Sequence, residues 1–220
     1  MDWKNLIPMD WRYRVMELRG RGLYNGYADR YRCVFIHIPK TAGTSVAKAL
    51  FGQGSRHVPC VEYEKANPRK FACYFKFAFV RNPWSRLYSA YTFLNKGGMN
   101  EADQAWAATN LAGIDSFEQF VLEWLDAETM MSWVHFMPQH HFITNSRGEV
   151  AMDFIGRMEN IDTDFNHVCQ RLGIVANLPT LNKSTRHPHI QPYTDEMRNK
   201  VGELYKKDVS LFGYKFGDTI

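Results

Sequence analysis

Runs of continuous apolar residues alternate along this chain with segments whose apolar residues recur every three or four positions. Residues 33–38 (CVFIHI), 71–80 (FACYFKFAFV) and 152–158 (MDFIGRM) have the character of buried strands. Pro39 ends the first run. Gly43 and Thr44 then open a helix with Val46, Ala47, Ala49 and Leu50 on its core face, stopped by Gly52 and Gly54. The stretch SRHVPCVEY (55–63) reads as a short extended piece and a turn. Asn82 and Pro83 form a cap and first-turn pair for a helix that buries Trp84, Leu87, Tyr88, Tyr91 and Leu94, and Gly97 and Gly98 stop it. A capping box, Asp115 with Glu118 or Ser116 with Gln119, precedes Phe117, Phe120, Val121 and Trp124. After the third strand comes a helix carrying Phe165, Val168, Cys169 and Leu172 and ending at Gly173. The last helix starts near Thr194, with Asp195 and Glu196 in its first turn and Lys206 and Lys207 in its last. Strands alternating with helices predict a three-layer α/β fold around a central parallel sheet flanked by helices. Sheets of that kind bind ligands at the carboxyl ends of their strands.

Composition narrows this only a little. The 220 residues, 45% of them apolar and including 15 Phe and 11 Tyr, suffice for one core. Of the formal charge of +4, residues 1–32 carry +3, so they read as a basic N-terminal arm ahead of a single domain over 33–220. A solvated basic face is the first reading of the arm and contact with an acidic polymer the second, and a general nucleic-acid binder would be more basic. Cys33, Cys60, Cys73 and Cys169 lack CxxC spacing, and Cys33 and Cys169 read as reduced core residues. His140, His141, His187 and His189 come in close pairs without supporting carboxylate or cysteine spacing, so no metal is expected. No apolar run approaches the ~18 residues of a membrane span and no signal-peptide core opens the chain, so a reducing cytoplasm is the expected residence.

The turn PKTAGTS (39–45) is the first piece of candidate chemistry. Successive amides and the small residues Ala42 and Gly43 suit an anion at a helix N-terminus; Lys40 adds charge, and Thr41, Thr44 and Ser45 add hydroxyls. A plain strand-to-helix turn would look similar. Residue order separates it from a nucleotide-hydrolysing loop, in which lysine follows the second glycine and a hydroxyl holds magnesium. Here lysine precedes the single glycine by three residues, and the second strand ends in Arg81 where a metal-holding acid would stand.

FIHIPKTAGTS followed by FKFAFVRNPWSRLYSAY resembles the two signature motifs of the sulfotransferases that use 3′-phosphoadenosine 5′-phosphosulfate (PAPS), nearest the carbohydrate-sulfotransferase branch and its bacterial relatives. The likeness continues through DFIGRMENI, LPTLNKST and YKKDVSLFGY, nearly everything after residue 32. It implies a P-loop-like α/β fold in which Lys40, Thr41, Ala42, Gly43, Thr44 and Ser45 bind the 5′-phosphosulfate. Arg81 and Ser89 would bind the 3′-phosphate; the ~10 Å of helix rise between them is partly closed by the length of an arginine. Arg86 either joins them or is a surface arginine. Lys183, Ser184, Thr185 and Arg186 partly match a loop that closes over the nucleotide. Gln139 matches a position lining the acceptor cleft.

PAPS arrives activated, so the expected chemistry is in-line sulfuryl transfer, helped by positioning and by charge stabilisation from Lys40 and the loop amides without a metal. The acceptor is a hydroxyl, expected on a sugar or glycan, and its proton needs a base. The resemblance implies His57 for that base, since it lies between the two motifs where relatives of this kind place a catalytic histidine or glutamate, with Glu62 as the alternative; His37, inside a strand, belongs to the core. Trp106, Trp124, Trp133 and Phe136 could line the acceptor region but mostly suit packing. Glu159 with Arg157 suits a structural ion pair. Two rival readings stay open: a small-molecule kinase, against which the loop order speaks, and a non-catalytic module that holds the nucleotide or an acidic glycan.

Overall fold

The computed structural model describes residues 15–17, 19–20, 22–178 and 193–218. In chain order the elements are α1 (Tyr27–Tyr31), β1 (Cys33–Ile36), α2 (Gly43–Phe51), α3 (Cys60–Ala66), α4 (Pro68–Cys73), β2 (Phe75–Val80) and α5 (Pro83–Asn95). Then come α6 (Glu101–Asn110), the short α7 (Phe117–Gln119) with a π turn over Phe120–Trp124, α8 (His140–Ile143) and β3 (Phe154–Arg157). The series ends with α9 (Ile161–Leu172), α10 (Asp195–Leu204) and α11 (Lys206–Phe212). They divide into two compact units. The first holds the segment up to Ile38, Ala42–Val80 and the segment from His140; the second holds Pro39–Thr41, Arg81–Gln139 and the C-terminal helices.

The first unit is an α/β body with a small parallel sheet in the order β1-β2-β3. Its register pairs Phe35 with Phe77 and Ala78 with Ile155. Every residue of β1 is buried, as are the last five of β2, which explains their continuous apolar character. Cys33, Phe35, Phe77 and Phe79 share one face and pack on Val46, Ala47 and Leu50 of α2 and on Phe165, Val168 and Cys169 of α9. The Phe35 and Phe77 rings stack 5.0 Å apart. Burying each such phenyl contributes about 2–3 kcal/mol. The expected strands and the α9 stop at Gly173 are therefore present.

Two local expectations fail in this unit. Phe71–Cys73 belong to α4, not to a strand, because Pro68 stands at the first helical position and the Asn67 side chain accepts a hydrogen bond from the Lys70 amide. Likewise Cys60–Tyr63 form the start of α3, which buries Cys60, Tyr63 and Ala66 on one side. Apolar density over 71–80 concealed a helix-to-strand junction at Tyr74.

The second unit is helical. Asn82 Oδ1 accepts from the Trp84 and Ser85 amides and Pro83 opens α5, as its sequence predicts. Trp84, Leu87, Tyr91 and Leu94 bury one face of α5 against Phe117, Phe120, Val121, Phe136, Met197, Val201 and Tyr205. The predicted cap at Ser116 is made to the Gln119 amide. Trp106 stacks on Trp133 at 5.1 Å and Phe120 on Trp124 at 5.1 Å, so these aromatics serve packing. The C-terminal helix differs from expectation. It breaks at Tyr205, so Lys206 and Lys207 begin α11 instead of closing α10. All four cysteines are free thiols, three of them buried. Among the described residues no helix is long and apolar enough to cross a membrane.

Candidate active site

The loop between β1 and α2 carries two non-glycine residues in the left-handed region, Lys40 at φ 69° and Ala42 at φ 64°. For an L-residue each costs on the order of 1 kcal/mol, and such strain clusters where a backbone is shaped for binding. Left-handed residues within a turn point successive N–H groups into one concavity, which suits an anion. The helix's own ladder begins with the Ser45 and Val46 amides donating to Ala42 O. The amides of Ala42, Gly43 and Thr44 stand ahead of that ladder, at the positive end of the nine-residue α2.

Gly43 is required by its neighbour. A Cβ there would overlap the imidazole of buried His37. His37 Nδ1 lies 2.9 Å from Ser55 Oγ. His57 stacks obliquely beside it, ring centres 4.2 Å apart, and its Nδ1 lies 3.0 Å from His37 O. A carbonyl only accepts, so His57 Nδ1 carries the proton, and in the neutral ring Nε2 holds the lone pair. His37 is a buried support, as expected, and it orients His57 through its own main chain. Glu62, in the first turn of α3, forms a 3.3 Å ion pair with Lys65.

Lys40, Arg81, Ser89 and Gln139 belong to the second unit. The Lys40 ammonium sits 3.9 Å from the centre of the Phe93 ring. Burial, and then the Arg81 charge, pull its pKa from 10.5 to about 8, while Asp103 acts in the opposite direction. Arg81 Nη1 donates to Lys40 O at 3.4 Å. Ser89 is half-buried on α5. Gln139 is 0% exposed, and both ends of its amide engage the Arg81 main chain. The side-chain amide of Gln139 is thus committed to the Arg81 main chain. Its own amide N–H donates to Asp208 Oδ2 at 2.6 Å.

Arg86 corrects both readings offered for it. It is 1% exposed, and its guanidinium donates to the carbonyls of Pro39, His135, Phe136 and Met137. Burial lowers its pKa. It is an internal clamp on the segment entering Lys40. Lys183, Ser184, Thr185 and Arg186 lie outside the described residues. Among the described residues no cluster of His, Cys, Asp and Glu could hold a metal ion.

Three residues of this neighbourhood escape a sequence reading. Phe93 reads as ordinary helix core, Asp103 as a first-turn acid of α6, and Asp208 as a solvated charge in KKDVS. Only burial distinguishes them, with Asp103 4% and Asp208 0% exposed.

Residues 26–215 match the Sulfotransferase family. The chain is 30% identical over 225 residues to carbohydrate sulfotransferase 14 of Mus musculus and of Homo sapiens, covering 85% of this chain and 59% of each relative. It is 26% identical over 234 residues to carbohydrate sulfotransferase 11 of Mus musculus, covering 93% of this chain and 61% of that one. The chain thus spans about three fifths of the length of these curated relatives. No solved structure matches it. A family match across most of the chain, including the loop at Lys40 and the strand end at Arg81, makes this protein a member of the sulfotransferase family, in its carbohydrate-sulfotransferase branch.

Proposed function

We propose that this protein transfers the sulfuryl group of PAPS to a hydroxyl of a carbohydrate. The observation that carries the reading is the Lys40–Ala42 turn, whose left-handed residues present amides and a lysine at the start of α2. In this reading Lys40, Thr41, Ala42, Gly43, Thr44 and Ser45 hold the 5′-phosphosulfate of a P-loop-like fold. Arg81 and Ser89 hold the 3′-phosphate, a dianion that suits a planar guanidinium. Lys183, Ser184, Thr185 and Arg186 close over the nucleotide. Gln139 lines the acceptor cleft while its side-chain amide braces the Arg81 main chain.

The acceptor oxygen forms a bond to sulfur while the bond from sulfur to the bridging oxygen of the 5′-phosphate breaks. The acceptor proton passes to His57 Nε2, whose tautomer follows from the bond between Nδ1 and His37 O. The electron pair of the breaking bond leaves on 3′,5′-diphosphoadenosine, where the Lys40 ammonium and the α2 amides stabilise the charge. Glu62 serves as base only if His57 does not. Direct displacement needs no covalent intermediate with the protein.

The test is transfer of label from PAPS to a panel of glycans in the presence of EDTA, together with the change in Tm on adding 3′,5′-diphosphoadenosine. Stabilisation and transfer are expected. Stabilisation by ATP with magnesium and none by the diphosphonucleotide would support a kinase. Nucleotide binding with no transfer to any acceptor would support a non-catalytic module.

A further inference from the structure

Lys40 has surroundings that the donor-binding role does not account for. Its ammonium lies on the face of Phe93 at 3.9 Å. On the Phe93 ring's other neighbour, His135, 4.9 Å away, rests Asp103, a nearly buried carboxylate engaged at both oxygens. Oδ1 accepts from Trp133 Nε1 at 3.3 Å and lies 3.2 Å from His135 Nε2; Oδ2 accepts from the Met99 amide at 3.2 Å. The local chain is shaped around that carboxylate. Asn100 Oδ1 accepts from the Asp103 amide at 2.9 Å. Gly98, at φ +68°, leaves room where a Cβ would overlap the Asp103 side chain. His135 is itself 6% exposed and its ring lies 4.9 Å from Phe93. A first-turn helix acid ordinarily faces water; this one is turned inward and held by three donors.

We propose that Phe93 and Asp103 are positioning residues for the transfer reaction, Phe93 by seating the Lys40 ammonium and Asp103 by keeping it charged before the donor arrives. The inference rests on the reading of Lys40 as the residue that stabilises the leaving group. Without them Lys40 would be a half-buried amine beside the cationic Arg81, and burial and that charge both favour its neutral form. A neutral amine neither attracts a phosphosulfate nor stabilises its departing oxygen. The charged groups facing Lys40 are Arg81, which opposes its protonation, and Asp103, which favours it. His135 faces Asp103 from the segment before α8. Phe93 contributes the negative face of its ring. Bound donor would take over the task of Asp103, so the effect belongs to the free enzyme.

The discriminating experiment measures Lys40 itself. Trace labelling with acetic anhydride across a pH series, read by mass spectrometry of the Lys40 peptide, gives the ammonium midpoint without any turnover. Asp103→Asn keeps the side-chain shape and is expected to lower that midpoint by about one pH unit, leaving other lysines unmoved. Phe93→Leu is expected to lower it in the same direction and serves if the Asn variant does not fold. In transfer assays the alkaline limb of kcat/KM should move to lower pH by the same amount, while kcat with saturating donor changes less. A Lys40 midpoint unmoved in both variants overturns the proposal. A midpoint that moves in a protein transferring no sulfate upholds the electrostatic role and rejects the functional reading instead.

Discussion

Gln139 spans the main chain of Arg81, accepting its N–H at Oε1 (2.9 Å) and donating from Nε2 to its carbonyl (2.8 Å). With Asp208 taking the Gln139 amide at 2.6 Å and Arg81 Nη1 reaching Lys40 O, a single hydrogen-bonded series runs from α11 to the loop. Gln139→Glu keeps the volume but replaces the donor with a second acceptor against the Arg81 carbonyl. An uncompensated buried polar contact of this kind costs about 1–3 kcal/mol. Affinity for 3′,5′-diphosphoadenosine, measured by calorimetry, should fall by roughly tenfold, equivalent to about 1.4 kcal/mol. Unchanged affinity in a folded variant would show that Arg81 does not depend on this bracket.

His57 and Glu62 are separable by substitution. Removal of a general base typically costs on the order of 100-fold or more in kcat, so His57→Ala should lose that much while binding nucleotide normally. Glu62→Gln should retain most activity, because that carboxylate is paired with Lys65. The opposite ranking in single-turnover assays would assign the base to Glu62.

Lys40 predicts a conflict between stability and function. Its pKa is about 8 in the folded protein against an ordinary 10.5. Between those pH values the unfolded chain holds a proton that the folded chain lacks, so this position's contribution to stability rises with pH across that window. Below about pH 8 it is at its least favourable. At pH 7, Lys40→Met should therefore raise Tm by about 2–4 °C while reducing kcat roughly 100-fold or more. The wild-type kcat/KM should decline as pH rises through about 8, where the ammonium is lost. A Met variant less stable than wild type at neutral pH would argue that Lys40 is not strained by burial.

Gly43 is constrained by His37 and not by its own dihedral angle. Gly43→Ala puts a methyl group into the imidazole and must displace His37, and with it the carbonyl that orients His57. Overpacking of this kind costs about 1–3 kcal/mol. We expect a lower Tm and a fall in kcat, with the His37→Ala, Gly43→Ala double variant recovering stability but not turnover. Loss of stability in the double variant equal to the sum of the two single losses would disprove the contact.

Much of this protein was legible in one dimension. The strand cores, the Asn82–Pro83 helix start and the Ser116 cap depend on residue type within a few positions, and local sterics and hydrogen bonding dictate them. The order Pro39-Lys40-Thr41-Ala42-Gly43 likewise carries the family likeness that the match over residues 26–215 bears out. Helices α3 and α4 were less legible, because six or seven residues hold too few apolar positions to fix a period, and only α4 carries a side-chain cap, at Asn67.

What only the tertiary structure decided is which polar side chains leave water. Arg86, Asp103, Gln139 and Asp208 look like ordinary surface residues of helices and turns, yet all four are buried against partners distant in sequence. Burial makes an unmet hydrogen bond or charge costly, so each had to find those partners, and the partners shape the loop and the lysine. A linear pattern encodes which groups can bond. It does not encode which of them the fold will deprive of solvent, and that loss of solvent sets the geometry of Arg81 and the charge of Lys40.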